Sequence, residues 1–450
     1  MKKTKLILAL MAAMPLAAHA TDGYFSNGYG MKSNGMGGAA VAVAMEPFGG
    51  AVNPGAMSFL DSQWQLGVAW FSPDRNASRS GSGNWNIDGY VDSGSKNFFI
   101  PEFGINWKYS PDIALGLTVY GNGGMNTDYA GGQIPNQSAC TNFRVPPGAA
   151  PVGPYNLLCG NGNLGVDLTQ LIIAPYASWQ FAKGHSIGIA PVIAYQRFKA
   201  EGLQMFDNPL FTTSPGNVTN NGYSDAWGFG ARFGYMGQFN EMFGVGIAYQ
   251  TKLSMGNFDG YKGLFAQGGG FDIPSNFTAG IAFRPVKPLL IAVDFERIFY
   301  DDSASVSNPS AWIGYCPPPP QGGGQRQYCL GGDSGAGFGW QNIDVWKIGV
   351  QYDLNDAWTI RGGYNHSDNP IGPQDVTFNI LAPGVVKDQW SAGFTWRLDK
   401  VSEVTGAFMY AQNNSVTGPS LFIGFGAPST TTETIAMKEY LLGIAYSRKF

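Results

Sequence analysis

The sequence predicts an all-β protein: a 14-stranded antiparallel transmembrane β-barrel of the bacterial outer membrane, with a small N-terminal hatch inside its lumen. Three observations predict it. A signal for export opens the chain, an alternating strand closes it, and short and long connections alternate strictly between them.

The first 20 residues read as a secretory signal. Lys2, Lys3 and Lys5 supply the positive region, residues 6–16 the apolar run, and Ala18-His19-Ala20 the small-residue cleavage site. That apolar run is too short for a transmembrane helix. Thr21 is therefore expected to open the mature chain, with residues 21–62 as an N-terminal unit and 63–450 as the barrel.

The last strand shows why lipid is the expected environment. Its even positions are Tyr440, Leu442, Ile444, Tyr446, Arg448 and Phe450, and its odd positions are mostly small or polar. Side chains of a membrane strand point alternately to lipid and to lumen, so a period of two is required. Phe99, Phe103, Ile105, Trp107 and Tyr109 repeat the pattern, as do Trp227, Phe229, Phe233 and Tyr235. So do Trp346, Ile348, Val350 and Tyr352, and then Trp390, Phe394, Trp396 and Leu398.

Tight turns are expected at 110–111, 182–185, 238–241, 284–288, 353–357 and 399–402. Long connections are expected at 73–97, 121–167, 200–222, 256–274, 301–342, 366–387 and 412–437. Six short against seven long gives fourteen strands, with periplasmic turns and extracellular loops.

Composition excludes other classes. No later stretch approaches 18 apolar residues, so helical spans are not expected. Loss of the three signal lysines takes the formal charge from −4 to −7, which argues against nucleic acid. Cys140 and Cys159 share one long loop, Cys316 and Cys329 another, and an exported protein is expected to hold them as disulfides. Metal binding lacks partners, since His185 and His366 lie near no cysteine. The same two histidines belong to no nucleophile motif, so an enzyme is not expected. No cofactor and no metal are expected.

Fourteen strands enclose more space than wall side chains fill. Residues 21–60, rich in Gly, Ala, Met and Asn, are the expected filling, with 35–44 as a short apolar helix. Gly23-Tyr24-Phe25, residues 28–43 and Asn53-Pro54-Gly55 resemble the hatch of FadL-type outer-membrane long-chain fatty acid transporters, a family that includes the TodX-like hydrocarbon transporters. The family's hatch motif is Asn-Pro-Ala; Gly55 replaces its alanine here. Residues 98–101, 116–120 and 122–129 resemble its second and third strands.

The resemblance implies passive, energy-independent transport of hydrophobic molecules. Ligand lands in an apolar groove between two extracellular loops, moves to a tighter site beside the hatch, and leaves sideways through a wall gap at a kink in the third strand. Long-chain fatty acid is the first expectation; an aromatic or aliphatic hydrocarbon is the alternative, and a general diffusion porin stands behind both. Expected partners are that ligand, the surrounding outer-membrane lipid and lipopolysaccharide, and the barrel-assembly machinery during biogenesis. The protomer is expected to work alone.

Candidate residues follow. Gly123 and Gly124 either kink the third strand or end it. Pro54 fixes its own backbone and biases Asn53 away from helix, so Asn53 either latches the hatch to the wall or begins a plain turn; Gly55 allows close approach in both cases. Leu203, Met205, Phe206, Leu210 and Phe211 of one loop, with Phe258, Tyr261, Leu264 and Phe265 of the next, either form an exposed landing site or pack the loops together. A carboxylate ligand needs a cation. Lys108, Arg232, Lys347, Arg361 and Arg397 are expected on lumen faces, to meet ligand or to pair with acids such as Glu102. The family's carboxylate-site arginine aligns near Gly202, leaving Arg197, Lys199 and Lys347 as candidates, or a ligand without charge.

Overall fold

The computed structural model describes residues 22–143, 153–316 and 325–450. The expected signal peptide, residues 1–20, and Thr21 lie outside them. Strands β1 to β5 are Gln63–Ser80, Phe98–Lys108, Ile113–Tyr129, Leu164–Ala182 and His185–Glu201. Strands β6 to β10 are Ser224–Gln238, Phe243–Gln250, Asn276–Val286, Leu289–Ile298 and Ile343–Asp353. Strands β11 to β14 are Trp358–Ser367, Asp388–Arg397, Ser402–Pro419 and Thr432–Lys449.

Each strand pairs antiparallel with its chain neighbours, and β14 returns to β1 in continuous register from Gln63↔Lys449 to Ser80↔Thr432. The ring is closed at fourteen strands, as expected. Two short ladders, Gly89–Asp92 on β1 and Ser254–Met255 on β6, lie outside it. Closure leaves no open edge, which lipid demands because it offers nothing to hydrogen-bond.

The alternation falls as the sequence predicts. Leu442 and Ile444 are 56% and 54% exposed on the outside, while Leu441, Gly443 and Ala445 are buried. Phe99, Trp107, Phe229, Phe233, Trp346, Ile348, Trp390 and Trp396 continue the outer apolar belt. All six tight turns and all seven long connections appear in the expected order.

Three loops are shorter than expected. The strands beside 73–97 and 412–437 run on through Ser80, Pro419 and Thr432, and β3 continues past Tyr120 to Tyr129. Asp74, Asn76 and Ser78 hide this continuation, because a strand above the membrane needs no apolar outer face. Residues 35–44 form turns, not the expected helix. Gly37 and Gly38 hold positive φ angles of 66° and 86°, which a helix cannot use. Helical turns occur instead at Met31–Asn34, Gly49–Val52 and Pro54–Phe59.

Replacing Ile444 with arginine places a charge on the outer apolar belt. It is expected to cost on the order of 2 kcal/mol or more, read as a lowered urea midpoint for the chain folded in lipid vesicles.

Candidate functional site

Residues 22–60 lie against the inward faces of the wall and are almost wholly buried. Their Gly- and Ala-rich backbone has few side chains of its own to bond with, and the wall supplies them. Asp294 accepts from the Ala40 and Val41 amides at 2.7 and 2.9 Å. Lys347 Nζ donates to Asn27 O at 2.8 Å and to Glu296 Oε2 at 2.7 Å, with Asp22 Oδ2 at 3.6 Å. Asn106 donates to Leu60 O. Within the segment, Glu46 accepts from the Lys32 and Ser33 amides, and burial pushes its carboxyl up. Burial also raises Asp22 to about 6, against the opposing pull of Lys347.

The Asn-Pro-Gly turn makes the direct contact foreseen as a latch. Asn53 Nδ2 donates to Val41 O at 2.7 Å and across to Tyr235 O of β6 at 2.9 Å, while its Oδ1 accepts from Gly55 N. A side chain at Gly55 would meet the Gly234 backbone at 2.8 Å, so this approach excludes even alanine without movement.

The third strand is interrupted but not ended. Its register with β4 shifts between Gly121 and Gly124, bulging out Asn122 and Gly123. On its other side, pairing with β2 stops at Phe103↔Val119. Residues 98–102 of β2 and 120–125 of β3 therefore face each other without a ladder. Above this gap, residues 93–95 bridge to β3, with Gly94 N on Asp128 O at 2.7 Å. The N-terminal segment covers the gap from within. Phe25 bridges to Gly123, Ser26 N donates to Asn122 O at 3.2 Å, and Tyr29 OH donates to Asn122 Oδ1 at 2.9 Å.

The loop residues come together, and they are buried. Leu203, Met205, Phe206, Phe211, Phe258, Tyr261 and Phe265 are covered, and only Leu210 is exposed, at 36%. The expected open groove is closed in this structure because the rings pack on one another. Phe198 of β5 lies 4.6 Å from Phe265, 4.8 Å from Tyr261 and 5.6 Å from Phe258, and Phe206 lies 5.6 Å from Phe378 of the 368–387 loop. Leu203, Phe206, Leu264 and Phe265, with Phe338 and Leu381, line an apolar cavity of about 40 Å³. Rings then lead inward, Phe265 to Phe271 at 4.9 Å, Phe271 to Tyr24 at 6.2 Å, and Tyr24 to Phe25 at 5.3 Å. The series joins the loop cluster to the covered gap.

Three cations expected in the lumen are found there, and two candidates for a ligand carboxylate are not. Arg232, Lys347 and Arg361 are buried on the lumen side. Arg232 bonds Tyr120 OH and Gln250, Arg361 bonds Gln351 and Thr395, and Lys347 holds the N-terminal segment. Arg197 and Lys199 are on the outer face, over the Tyr223 ring at 4.5 and 5.6 Å, and Lys199 pairs with Glu201. Strand alternation decides this: with Phe198 turned inward to the loops, its neighbours point out. Arg75, in a segment expected to be loop, is buried beside Gly124 and was not foreseen. Disulfides join Cys140 to Cys159 and Cys316 to Cys329, each within one loop.

Solved structures share this fold. The toluene transporter TodX of Pseudomonas putida is 17% identical with a TM-score of 0.66, the match covering 96% of this chain and 100% of that one. The toluene transporter TbuX of Ralstonia pickettii is 15% identical at 0.60, covering 94% and 99%. A FadL homologue of Pseudomonas aeruginosa is 12% identical at 0.63, covering 95% and 100%. No curated protein sequence matches. Residues 8–416 match the sequence model of the Gram-negative porins. The chain therefore belongs to the Gram-negative porin family, as an outer-membrane channel and not an enzyme, built on the FadL/TodX barrel.

Proposed function

We propose that this barrel is a passive uptake channel for long-chain hydrophobic molecules, fatty acids foremost, gated by residues 21–62 acting as a hatch. The observation that carries the proposal is the wall gap between β2 and β3, covered from inside by residues 25–29 and joined by a series of tilted rings to an apolar loop cluster. An apolar molecule gains nothing from crossing to an aqueous periplasm. A sideways exit lets it pass from apolar loops to lipid without full hydration, and the cost avoided grows by about 0.8 kcal/mol per methylene.

The loop residues Leu203, Met205, Phe206, Leu210, Phe211, Phe258, Tyr261, Leu264 and Phe265 receive the ligand. They part to do so, because a cavity of about 40 Å³ holds little more than water. Asn53, Pro54 and Gly55 keep the lower part of the hatch on the wall while its first residues withdraw from Asn122 and Gly123. Lys347 serves the hatch and not the ligand.

A hydrocarbon channel is the second reading, favoured by the names of the two toluene transporters that share the barrel. A general diffusion porin is the third, favoured by the family's description. Against it stand residues 22–60, which occupy the lumen.

Labelled oleate is expected to enter cells that lack their own fatty acid transporter when they express this chain, and not when residues 21–60 are removed from it. Toluene uptake without oleate uptake, by well-folded surface protein, would move the assignment to hydrocarbons. Gly124→Val is expected to lower oleate uptake several-fold with the amount of folded barrel unchanged; full uptake would remove the β3 irregularity from the mechanism. In planar bilayers the intact chain is expected to pass little steady ion current, and the chain without residues 21–60 far more. A wide steady conductance from the intact chain would establish the diffusion porin instead.

A further inference from the structure

Two arginines of β1 turn inward near its upper end, and only one is neutralised. Arg79 places Nε and Nη2 on Glu433 Oε1 at 2.7 and 2.5 Å and lies over the Phe422 ring. Arg75, four residues earlier on the same face, is 4% exposed. Its Nη2 donates to Ser95 O, its guanidinium stands 5.8 Å over the Phe98 ring, and its Nε has no partner. Among the described residues it forms no ion pair. Glu439 of β14 stands across from Pro73, near enough in register to have been a partner; both its buried oxygens are also without a hydrogen bond.

A guanidinium is always charged and carries five donors, and burying one without an anion is costly. Arg75 borders a cavity of about 20 Å³ together with Gly23, Tyr24, Gly124, Trp340 and Gly384. Ser95 belongs to the bridge above the wall gap, and Phe98 is the first residue of the unpaired stretch of β2. Arg75 therefore stands at the upper rim of the gap, beside the hatch residues that cover it.

We propose that Arg75 holds the anionic headgroup of the ligand as it passes from lumen to wall gap, so that the substrate is a carboxylate on a long alkyl tail and not a neutral hydrocarbon. This inference rests on the uptake function proposed above. The cavity has room for about one water, so a headgroup enters as Gly23 and Tyr24 move aside. A carboxylate completes the free donors by charge-assisted hydrogen bonds, which a toluene or alkane cannot make. Arg75 lies in the first strand, a different element from those of Arg197, Lys199 and Lys347.

Equilibrium binding to the full mature chain in lipid nanodiscs tests this, with oleate and oleyl alcohol as probes of equal tail. Oleate is expected to bind at least about tenfold more tightly. Arg75→Gln should abolish that preference by weakening oleate alone, and Glu439→Gln should keep it. Equal binding of both probes by the unaltered chain, a preference that survives Arg75→Gln, or its loss in Glu439→Gln would each overturn the role of Arg75. Should Arg75→Gln fail to fold, Arg75→Met fills the same space without charge and is judged by the same criterion. Failure of both probes to bind would instead sink the long-chain uptake function itself, whereas equal binding leaves that function standing.

Discussion

A strand crossing a bilayer meets no water, so each of its amides and carbonyls must find a partner in the protein. Closing β14 onto β1 meets that demand for the wall and creates a second one, since fourteen strands surround more volume than inward side chains fill. The filling segment brings its own unpaired backbone into the lumen. Asp294, Lys347, Asn53 and Asn106 answer it, bonding amides and carbonyls of residues 27–60 directly. This explains why the segment is rich in glycine and alanine and poor in helix. Small residues leave the backbone open to the wall, and the wall replaces the bonds a helix would have made internally.

The same demand acts at the wall gap. Where pairing between β2 and β3 ends at Phe103↔Val119, the facing residues lose their ladder, and the N-terminal segment supplies a partial substitute through Phe25 and Ser26. One continuous stretch thus fills the lumen and seals the wall. Hydrogen bonds of this kind are worth about 1 kcal/mol each net, so the seal is weak compared with the barrel. In the function proposed above, binding energy from a long apolar tail is of the right size to shift it. Asn53 contacts β6 and not β3, so in the proposed function residues 22–29 move while the remainder stays bonded.

How much of this was legible depended on whether lipid touched the residue. Trp227, Phe229, Phe233, Leu442 and Ile444 stood out because lipid imposes a strict period of two. The alternation of short and long connections then gave strand number and topology. Asp74 to Ser80 read as loop because above the membrane both faces of a strand can be polar, and Arg75 was lost with them. The helix expected over 35–44 rested on apolar composition, which carries no sign that Gly37 and Gly38 need positive φ. The contact of Asn53 with the wall was one of two readings its sequence left open, because the proline after it limits what its backbone can do. The exposed landing groove was not, because Phe258, Tyr261 and Phe265 have a better partner in Phe198 than in water.

Strand β5 shows where the rule of reading changes along a single element. In its lower half Ile187 and Ile189 face out and Ser186 and Ala190 face in, as a lipid-bound strand must. In its upper half the polarity inverts: Arg197 and Lys199 face out, while Phe198 and Ala200 face in. Phase is unbroken, since the backbone still alternates; only the solvent on each side has been exchanged. Outside, lipid has given way to a polar surface, and inside, the polar lumen has given way to apolar loops. Arg197 and Lys199, expected as candidates to meet a ligand carboxylate, thereby face away from the lumen. An inversion of polarity at constant phase marks the height at which a barrel leaves the membrane. In this chain it also marks the floor of the apolar loop cluster, so that boundary and the base of the cluster are written in the same four residues.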